Sequence, residues 1–211
     1  MTSVAPFQRF AGARAEKKTM LRAVVVSAFF LVVVSAQRPS RCVSPPQWEG
    51  RLIEIDPSKM FERRANLSYD ATNKRVRTID EIEEGSERDF YDEISLFEKK
   101  VHYSVNLKTK QCNKTALDKE FRPVEVPLFA NFTDEVYLGI SGLIGAGVLE
   151  NIFQGNDADK GRYSGAWTEL YCIPVTDTYL SMSTGYVHWS FYDVSPGIKN
   201  VNVFNPPPEC Q

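Results

Sequence analysis

The 211-residue chain carries 25 basic and 27 acidic side chains, and 43% of its residues are hydrophobic. That length and composition are typical of one globular domain with a real core. Residues 1–36 hold five of the basic residues and one acid, so the remaining 175 residues carry 20 basic against 26 acidic side chains. This acidic balance argues against a nucleic-acid partner, whose phosphates require a basic face.

The N-terminal segment has the organisation of a secretory signal peptide. A basic stretch precedes the apolar run AVVVSAFFLVVVSA, Ala23–Ala36, which ends in small residues. A membrane anchor is the alternative, but it needs about 20 apolar residues, and this shorter run is followed at once by Arg38. We predict a signal peptide over 1–36 and a single secreted domain over 37–211, without a transmembrane segment. Met20 opens a complete signal by itself, so whether residues 1–19 are translated stays open.

Alternation of apolar and polar residues predicts β-strands in the first half of the domain. RRANLSYD and KRVRTID flank 71–73 and predict one hairpin, and Ile94–Phe97 with Val101–Leu107 predict a second. The stretch Asp80–Glu93 holds eight acids and is interpreted as a solvated loop, with a calcium site as the alternative.

The second half adds segments rich in aromatic and β-branched residues. AWTELYCIPV, TYLSMS and YVHWSFYDV are predicted strands, with breaks at Asp177, 184–185 and 195–197. Short helices are expected at Asn131–Leu138 and near the C-terminus, and Asn156–Gly161 is expected to be a turn. On YVHWSFYDV, positions 187, 189 and 191 share one face, and positions 186, 188 and 192 share the other. Apolar groups on both faces indicate a filled core or, alternatively, an apolar pocket or a dimer surface.

The cysteines are spread along the predicted domain, and none lies within 30 residues of another. This spacing contains no C-x-x-C pair for zinc or redox chemistry. In an oxidising compartment four such cysteines predict two disulfides, and three connectivities are open from the sequence alone. A catalytic thiolate is disfavoured because no base is marked out beside any of them. They are Cys42, Cys112, Cys172 and Cys210.

Three Asn-x-Ser/Thr triplets begin at Asn66, Asn113 and Asn131. Behind a signal peptide each is a candidate acceptor for an N-linked glycan, which requires an exposed position. In ANLSYD the apolar residues at 65, 67 and 69 alternate with Asn66 and Ser68. We therefore expect Asn66 on the solvent face of a strand.

Several blocks of the sequence, in the same order and over nearly the whole predicted domain, resemble those of ependymins and mammalian ependymin-related proteins. The blocks are CVSPPQWEGR (Cys42–Arg51), LSYDATNKRVRTIDE (Leu67–Glu81), SLFEKKVHYSVNLKTKQCNKTAL (Ser95–Leu117), YCIPV (Tyr171–Val175) and GIKNVNVFNPPPEC (Gly197–Cys210). Longer members of the family carry a third disulfide, and this chain lacks both of its cysteines.

The resemblance implies a fold and a set of site residues. The implied fold is mainly β: two stacked, curved antiparallel sheets, forming a half-open barrel that resembles bacterial lipoprotein carriers, with a few short helices and a central apolar pocket. The implied disulfides are Cys42 with Cys172 and Cys112 with Cys210. Calcium binding is implied without identified metal ligands. Eight apolar residues are the candidates for the pocket wall: Leu96, Val101, Tyr103, Val105, Trp167, Tyr171, Trp189 and Phe191.

We therefore expect a secreted, non-enzymatic glycoprotein that buries a fatty acid or other lipid in a hydrophobic cleft, at about 0.8 kcal/mol per CH₂. The alternative is a calcium-dependent protein of cell–matrix adhesion. The resemblance further implies a homodimer and an extracellular or lysosomal location. No catalytic residues are predicted, because the sequence shows no Ser-His-Asp order, metal-ligand cluster or paired-carboxylate motif. The identity of the ligand, the presence of calcium, the oligomeric state and the occupancy of the glycan sites stay open.

Overall fold

The computed structural model describes residues 38–210, of which 40–210 form one compact unit. Its eleven strands lie in one antiparallel sheet in the order β6-β5-β4-β3-β2-β1-β11-β10-β9-β8-β7. The strands are β1 (Gln47–Asp56), β2 (Phe61–Asp70), β3 (Arg75–Glu84), β4 (Glu87–Leu96), β5 (Val101–Asn106), β6 (Cys112–Ala116), β7 (Asn131–Gly139), β8 (Gly147–Asn156), β9 (Arg162–Thr168), β10 (Pro174–Ser181) and β11 (Gly185–Pro196). The predicted signal peptide, 1–36, lies outside the described residues.

The mainly β, antiparallel class predicted from the sequence is confirmed, and the strands form one continuous, unclosed sheet. The first and last strands of the chain meet at its centre, because β1 pairs with β2 on one side and with β11 on the other. The register of β1 against β11 shifts between Glu49 and Arg51. Such a bulge bends a strand and increases its twist, so the sheet changes direction where its two halves join.

Most of the strand predictions are confirmed. The two predicted hairpins are β2–β3 and β4–β5, and β11 has the predicted division of its faces. The helices of the described residues are three short 3₁₀ segments, Pro57–Lys59, Val201–Phe204 and Pro208–Cys210, so the expectation near the C-terminus is confirmed.

Four expectations are wrong. The stretch AWTELYCIPV, predicted to be a strand, is divided by a turn at 169–173 between β9 and β10. The acidic stretch 80–93 is a hairpin, β3–β4, whose turn uses Gly85 at φ 60°. The segment predicted to be a helix at 131–138 is the edge strand β7, and nearly all of its residues are exposed. Asp177 lies inside β10 rather than at a break, because its backbone pairs with both β9 and β11.

The sheet has two faces, which we name by their residues. The tryptophan face carries Trp48, Trp167 and Trp189, and it holds most of the aromatic core. The segment 117–130 crosses this face, where the Val124 amide donates to the Tyr69 hydroxyl at 3.0 Å. A disulfide between Cys42 and Cys172 fastens the N-terminal segment to the same side.

The isoleucine face carries Ile53, Ile79 and Ile94, and it is only partly covered. The C-terminal segment (197–210) lies over its β4–β5 end, where Phe204 is buried against Ile94. The disulfide Cys112–Cys210 holds the end of this segment to β6. The remainder of the face is left open beside the segment.

Candidate functional site: a cavity on the isoleucine face

A cavity of about 450 Å³ lies on the isoleucine face, over the join between the two halves of the sheet. Two neighbouring rows of cross-strand partners form it. One row runs from Tyr192 through Arg51 and Asn66 to Ile79. The next row runs from Ile53 through Arg64 and Glu81 to Phe90. Because directly opposed residues in an antiparallel sheet point to the same side, the register alone brings these side chains together.

The cavity is lined by apolar and charged residues together. The apolar lining comes from Ile53, Ile79, Phe90, Leu107 and Tyr192. Ile79 is 40% exposed and Tyr192 is 46% exposed, so this apolar surface is open to solvent. The volume of this hollow falls in the range of ligand sites, about 300–1,000 Å³.

Both arginines of the cavity form ion pairs. The Arg51 guanidinium pairs with Asp193, and the Arg64 guanidinium lies 2.5 Å from Glu62 and 3.6 Å from Glu81. These groups are partly exposed, so each pair contributes little to stability. Both guanidiniums line the cavity and are partly exposed, so they can meet an anionic group there.

A smaller hollow of about 280 Å³ adjoins the first on the side of the C-terminal segment. Asn66, Arg51 and Ile79 line both hollows. The far wall of the smaller hollow includes Lys199 and Val203. Asn66 therefore stands on the boundary between the two.

The tryptophan face carries two networks of buried and half-buried polar side chains. Arg63 lies 2.8 Å from Asp80 and 3.6 Å from both Glu54 and Glu93. Burial opposes the charge of this guanidinium, but the hydrogen bond and charge of Asp80 outweigh burial and raise the pKa of Arg63. The guanidinium of Arg63 neutralises carboxylates that the hairpin β3–β4 places on the tryptophan face. The role of this network is therefore structural.

The second network joins three side chains of β9 and β10. The Trp167 indole donates to the Tyr163 hydroxyl at 2.9 Å, and that hydroxyl donates to Asp177 at 2.5 Å. Burial raises the pKa of Asp177 to about 7 and also raises the pKa of Tyr163. A Cβ at Gly165 would lie 2.0 Å from the Tyr163 hydroxyl, so only glycine leaves room for this contact.

One constellation has the residue types of a catalytic triad. The Ser95 hydroxyl lies 3.0 Å from His102 Nδ1, and His102 Nε2 lies 3.9 Å from Glu93. The second distance is longer than a hydrogen bond. Glu93 instead accepts from Ser104 at 3.3 Å and faces Arg63. The set therefore belongs to the ion-pair network of the tryptophan face.

The eight residues predicted to line the pocket do not come together. Leu96, Val101 and Tyr103 pack beneath the C-terminal segment, and Val105 follows on the same face at 1% exposure. Trp167, Trp189 and Phe191 lie on the tryptophan face. Tyr171 is 81% exposed in the turn between β9 and β10. None of the eight lines the 450 Å³ cavity.

The cysteines and glycan acceptors take definite places. The structure contains Cys42–Cys172 and Cys112–Cys210, the pairing that the resemblance implied. Asn66, Asn113 and Asn131 are all exposed. Asn113 and Asn131 lie on the edge strands β6 and β7, whereas Asn66 lies on an interior strand.

Six of the eight acids of 80–93 form ion pairs with arginines or a lysine. Asp80 pairs with Arg63, Asp92 with Arg77 and Asp89 with Lys108. Glu81 and Glu83 pair with Arg64 and Arg88. Within residues 38–210 no group of three His, Cys, Asp or Glu side chains is arranged to hold a metal ion. Calcium binding stays a prediction of the resemblance.

The cavity residues were present in the sequence but were not assigned to a site. Ile79 closes a predicted strand and Phe90 falls in the stretch interpreted as a loop. The sequence pattern that could have revealed them is an alternation in which single apolar residues share one face of a strand with charged residues. The register of five strands is needed to join them, and no local pattern supplies it.

Fold and site define a class of protein: a single open antiparallel sheet, fastened by two disulfides, with one face partly uncovered. A solved structure with the same fold is an uncharacterised conserved protein from Thermus thermophilus, at a TM-score of 0.51 and 12% identity. The match covers 79% of this chain and 89% of that one. No helix of the described residues is long and apolar enough to cross a membrane.

The sequence comparisons identify the family. The sequence model of the family described as Ependymin matches residues 85–210. Mammalian ependymin-related protein 1 of Mus musculus is 32% identical over 180 residues, covering 82% of this chain and 77% of that protein. Ependymin-2 of Oncorhynchus mykiss is 27% identical over 175 residues, covering 82% and 79%. The chain belongs to the ependymin family, and this membership supports a secreted, extracellular protein.

Proposed function

We propose that this protein is a non-enzymatic carrier of an amphipathic lipid with one acyl chain, such as a fatty acid, bound in the 450 Å³ cavity of the isoleucine face. The observation that supports it is the combination of apolar residues with two guanidinium groups, Arg51 and Arg64, in the lining of one open cavity. The acyl chain lies along Ile53, Ile79 and Phe90, and each buried CH₂ contributes about 0.8 kcal/mol. The carboxylate meets Arg51 or Arg64, since guanidinium groups bind carboxylates with two parallel hydrogen bonds.

Binding of this kind needs no covalent chemistry. The driving force is removal of acyl and side-chain surface from water. The disulfide Cys112–Cys210 fixes the C-terminal segment beside the cavity. The cavity itself lies on paired strands, so its shape is formed before the ligand arrives, which lowers the ordering cost of binding.

The test is a titration with a fluorescent fatty acid, using protein secreted by a eukaryotic host. Ile79→Asp puts a charge in the cavity lining at a half-exposed position, so the fold tolerates it. We expect affinity to fall at least tenfold. Ile144→Asp is the matched control, because Ile144 is fully exposed in the turn between β7 and β8. The affinity of this variant for the fatty acid should equal that of the parent.

Native mass spectrometry of the secreted protein gives a second readout. A co-purified mass of lipid size, lost in Ile79→Asp and kept in Ile144→Asp, supports the proposal. Unchanged affinity in folded Ile79→Asp would place the ligand elsewhere, and absence of any lipid binding would reject the carrier role. Calcium-dependent adhesion, the homodimer and a lysosomal location stay predictions of the resemblance.

A further inference from the structure

We propose that the N-linked glycan of Asn66 lies in the mouth of the 450 Å³ cavity and restricts access to it. The inference begins with the place of the acceptor. Asn66 is in the middle of β2, with Arg51 of β1 on one side and Ile79 of β3 on the other. Its side chain lines the cavity itself as well as the adjoining hollow. A sugar attached there starts inside the site.

The spacing of the strands decides how much the first sugar covers. Neighbouring strands lie about 4.8 Å apart, and an N-acetylated pyranose ring is wider than that. The sugar therefore covers at least one cross-strand neighbour of Asn66. Ile79 is the apolar neighbour, and its exposed 40% is the surface that the apolar side of a sugar ring can shield.

The charged groups around Asn66 leave room for the sugar. Arg51 is drawn toward Asp193, and Arg64 is drawn toward Glu62 at 2.5 Å. The side-chain amide of Asn66 has no hydrogen bond to the rest of the described chain. Its nitrogen is therefore free to carry the sugar, without breaking a contact of the fold.

The other two acceptors provide matched controls within the same molecule. Asn113 and Asn131 are exposed on the edge strands β6 and β7. Neither lines the cavity. A glycan at either position extends from an edge of the sheet, and its acceptor lines neither hollow of the isoleucine face.

The position of the Asn66 glycan in the mouth of the cavity is tested without any lipid. Native secreted protein is digested with peptide-N-glycosidase F, which cuts between asparagine and the first sugar, and each site is followed by mass spectrometry as asparagine becomes aspartate. We expect release at Asn66 to be at least tenfold slower than at Asn113 and Asn131, and the three rates to converge after denaturation. Equal native rates, or an unmodified Asn66 in the secreted protein, would overturn the proposal.

The restriction of access rests on the proposed function and has its own test. We expect Asn66→Gln to bind the fluorescent fatty acid about tenfold more tightly than the glycosylated parent, and Asn113→Gln and Asn131→Gln to bind like the parent. Equal binding by parent and Asn66→Gln would refute the restriction while leaving the carrier role intact. If Asn66→Gln did not bind the fatty acid at all, the carrier role and the restriction of access would both be rejected. The digestion would still show whether the Asn66 glycan lies in the mouth of the cavity.

Discussion

Arg77 binds Asp92 through two hydrogen bonds, of 2.8 and 2.6 Å, and donates a third, of 2.9 Å, to the backbone carbonyl of Val203. One guanidinium thus joins the sheet to the C-terminal segment. Lysine keeps the charge but cannot reproduce this fork. We expect Arg77→Lys to lower the free energy of unfolding by about 1–3 kcal/mol and to raise hydrogen exchange at 201–204.

The control for Arg77 is Arg88→Lys, at an exposed ion pair with Glu81. Its effect should stay within about 0.5 kcal/mol, as for most surface changes. Both variants are measured by urea unfolding. Equal stability of the two would show that the contact with Val203 contributes nothing.

Removal of the disulfide Cys112–Cys210 should release the same segment more completely. The bridge closes a loop of 98 residues, for which the chain-entropy model gives about 4–5 kcal/mol. We expect Cys112→Ser with Cys210→Ser to lose about that much stability and to expose Phe204, which is 3% exposed in the folded protein. Thermal unfolding and limited proteolysis of the C-terminal segment measure the two effects. Retained stability together with a protected C-terminus would contradict the role of the bridge.

The sequence pattern predicts the strands correctly where one face of the strand is buried and the other is exposed to solvent. In β2 the buried residues at 65, 67 and 69 alternate with exposed or half-exposed ones, and the sequence shows the same alternation. The hairpin β3–β4 was missed because charges occupy both of its faces. Asp80 is buried under Arg63, whereas Glu81 faces Arg64 on the other side. Because both faces carry charges, the alternation of apolar and polar residues that marks a strand is absent from this stretch.

Two other features, the strand β7 and the cavity, could not be predicted from the local sequence pattern. The edge strand β7 is exposed on both faces, so it lacks the alternation of a half-buried strand. The cavity joins Ile53 to Ile79 and Tyr192, which are distant in sequence and meet only through the register of β11, β1, β2 and β3. The disulfide pairing was available through the family resemblance alone, because spacing permits three connectivities.

Asp177 should make the stability of the protein fall as the pH rises. Burial raises its pKa to about 7, whereas the unfolded chain titrates near 3.8. Between these values the folded state holds a proton that the unfolded state releases, so the contribution of Asp177 to stability is present below about pH 4 and is lost as the pH rises to about 7. Asp177→Asn keeps an acceptor for the Tyr163 hydroxyl and carries no charge.

We expect Asp177→Asn to be more stable than the parent by about 1–3 kcal/mol at pH 8 and equal to it near pH 4. Thermal unfolding across this range measures the difference. Asp89→Asn, at an exposed pair with Lys108, is the control and should show no such gap at pH 8. A constant difference between Asp177→Asn and the parent at every pH would contradict a raised pKa.

Glu150 is a buried carboxylate without a partner in the described part of the chain. It is 4% exposed, its Oε1 accepts no hydrogen bond, and burial raises its pKa. It lies on β8 between Val136 of β7 and Thr168 of β9. A buried polar group without a partner costs about 1–3 kcal/mol, so the position lowers the stability of the fold.

We expect Glu150→Leu to raise the free energy of unfolding by about 1 kcal/mol or more at pH 7. Glu150→Gln should give a smaller gain, because it removes the charge but keeps a polar group. Since the folded pKa lies above that of the unfolded chain, the gain from Glu150→Gln should shrink as the pH falls toward 4. Glu135→Gln, on the exposed strand β7, controls for loss of charge alone. Lower stability of Glu150→Leu would mean that this carboxylate has a partner in the secreted protein, such as a bound cation or a second chain.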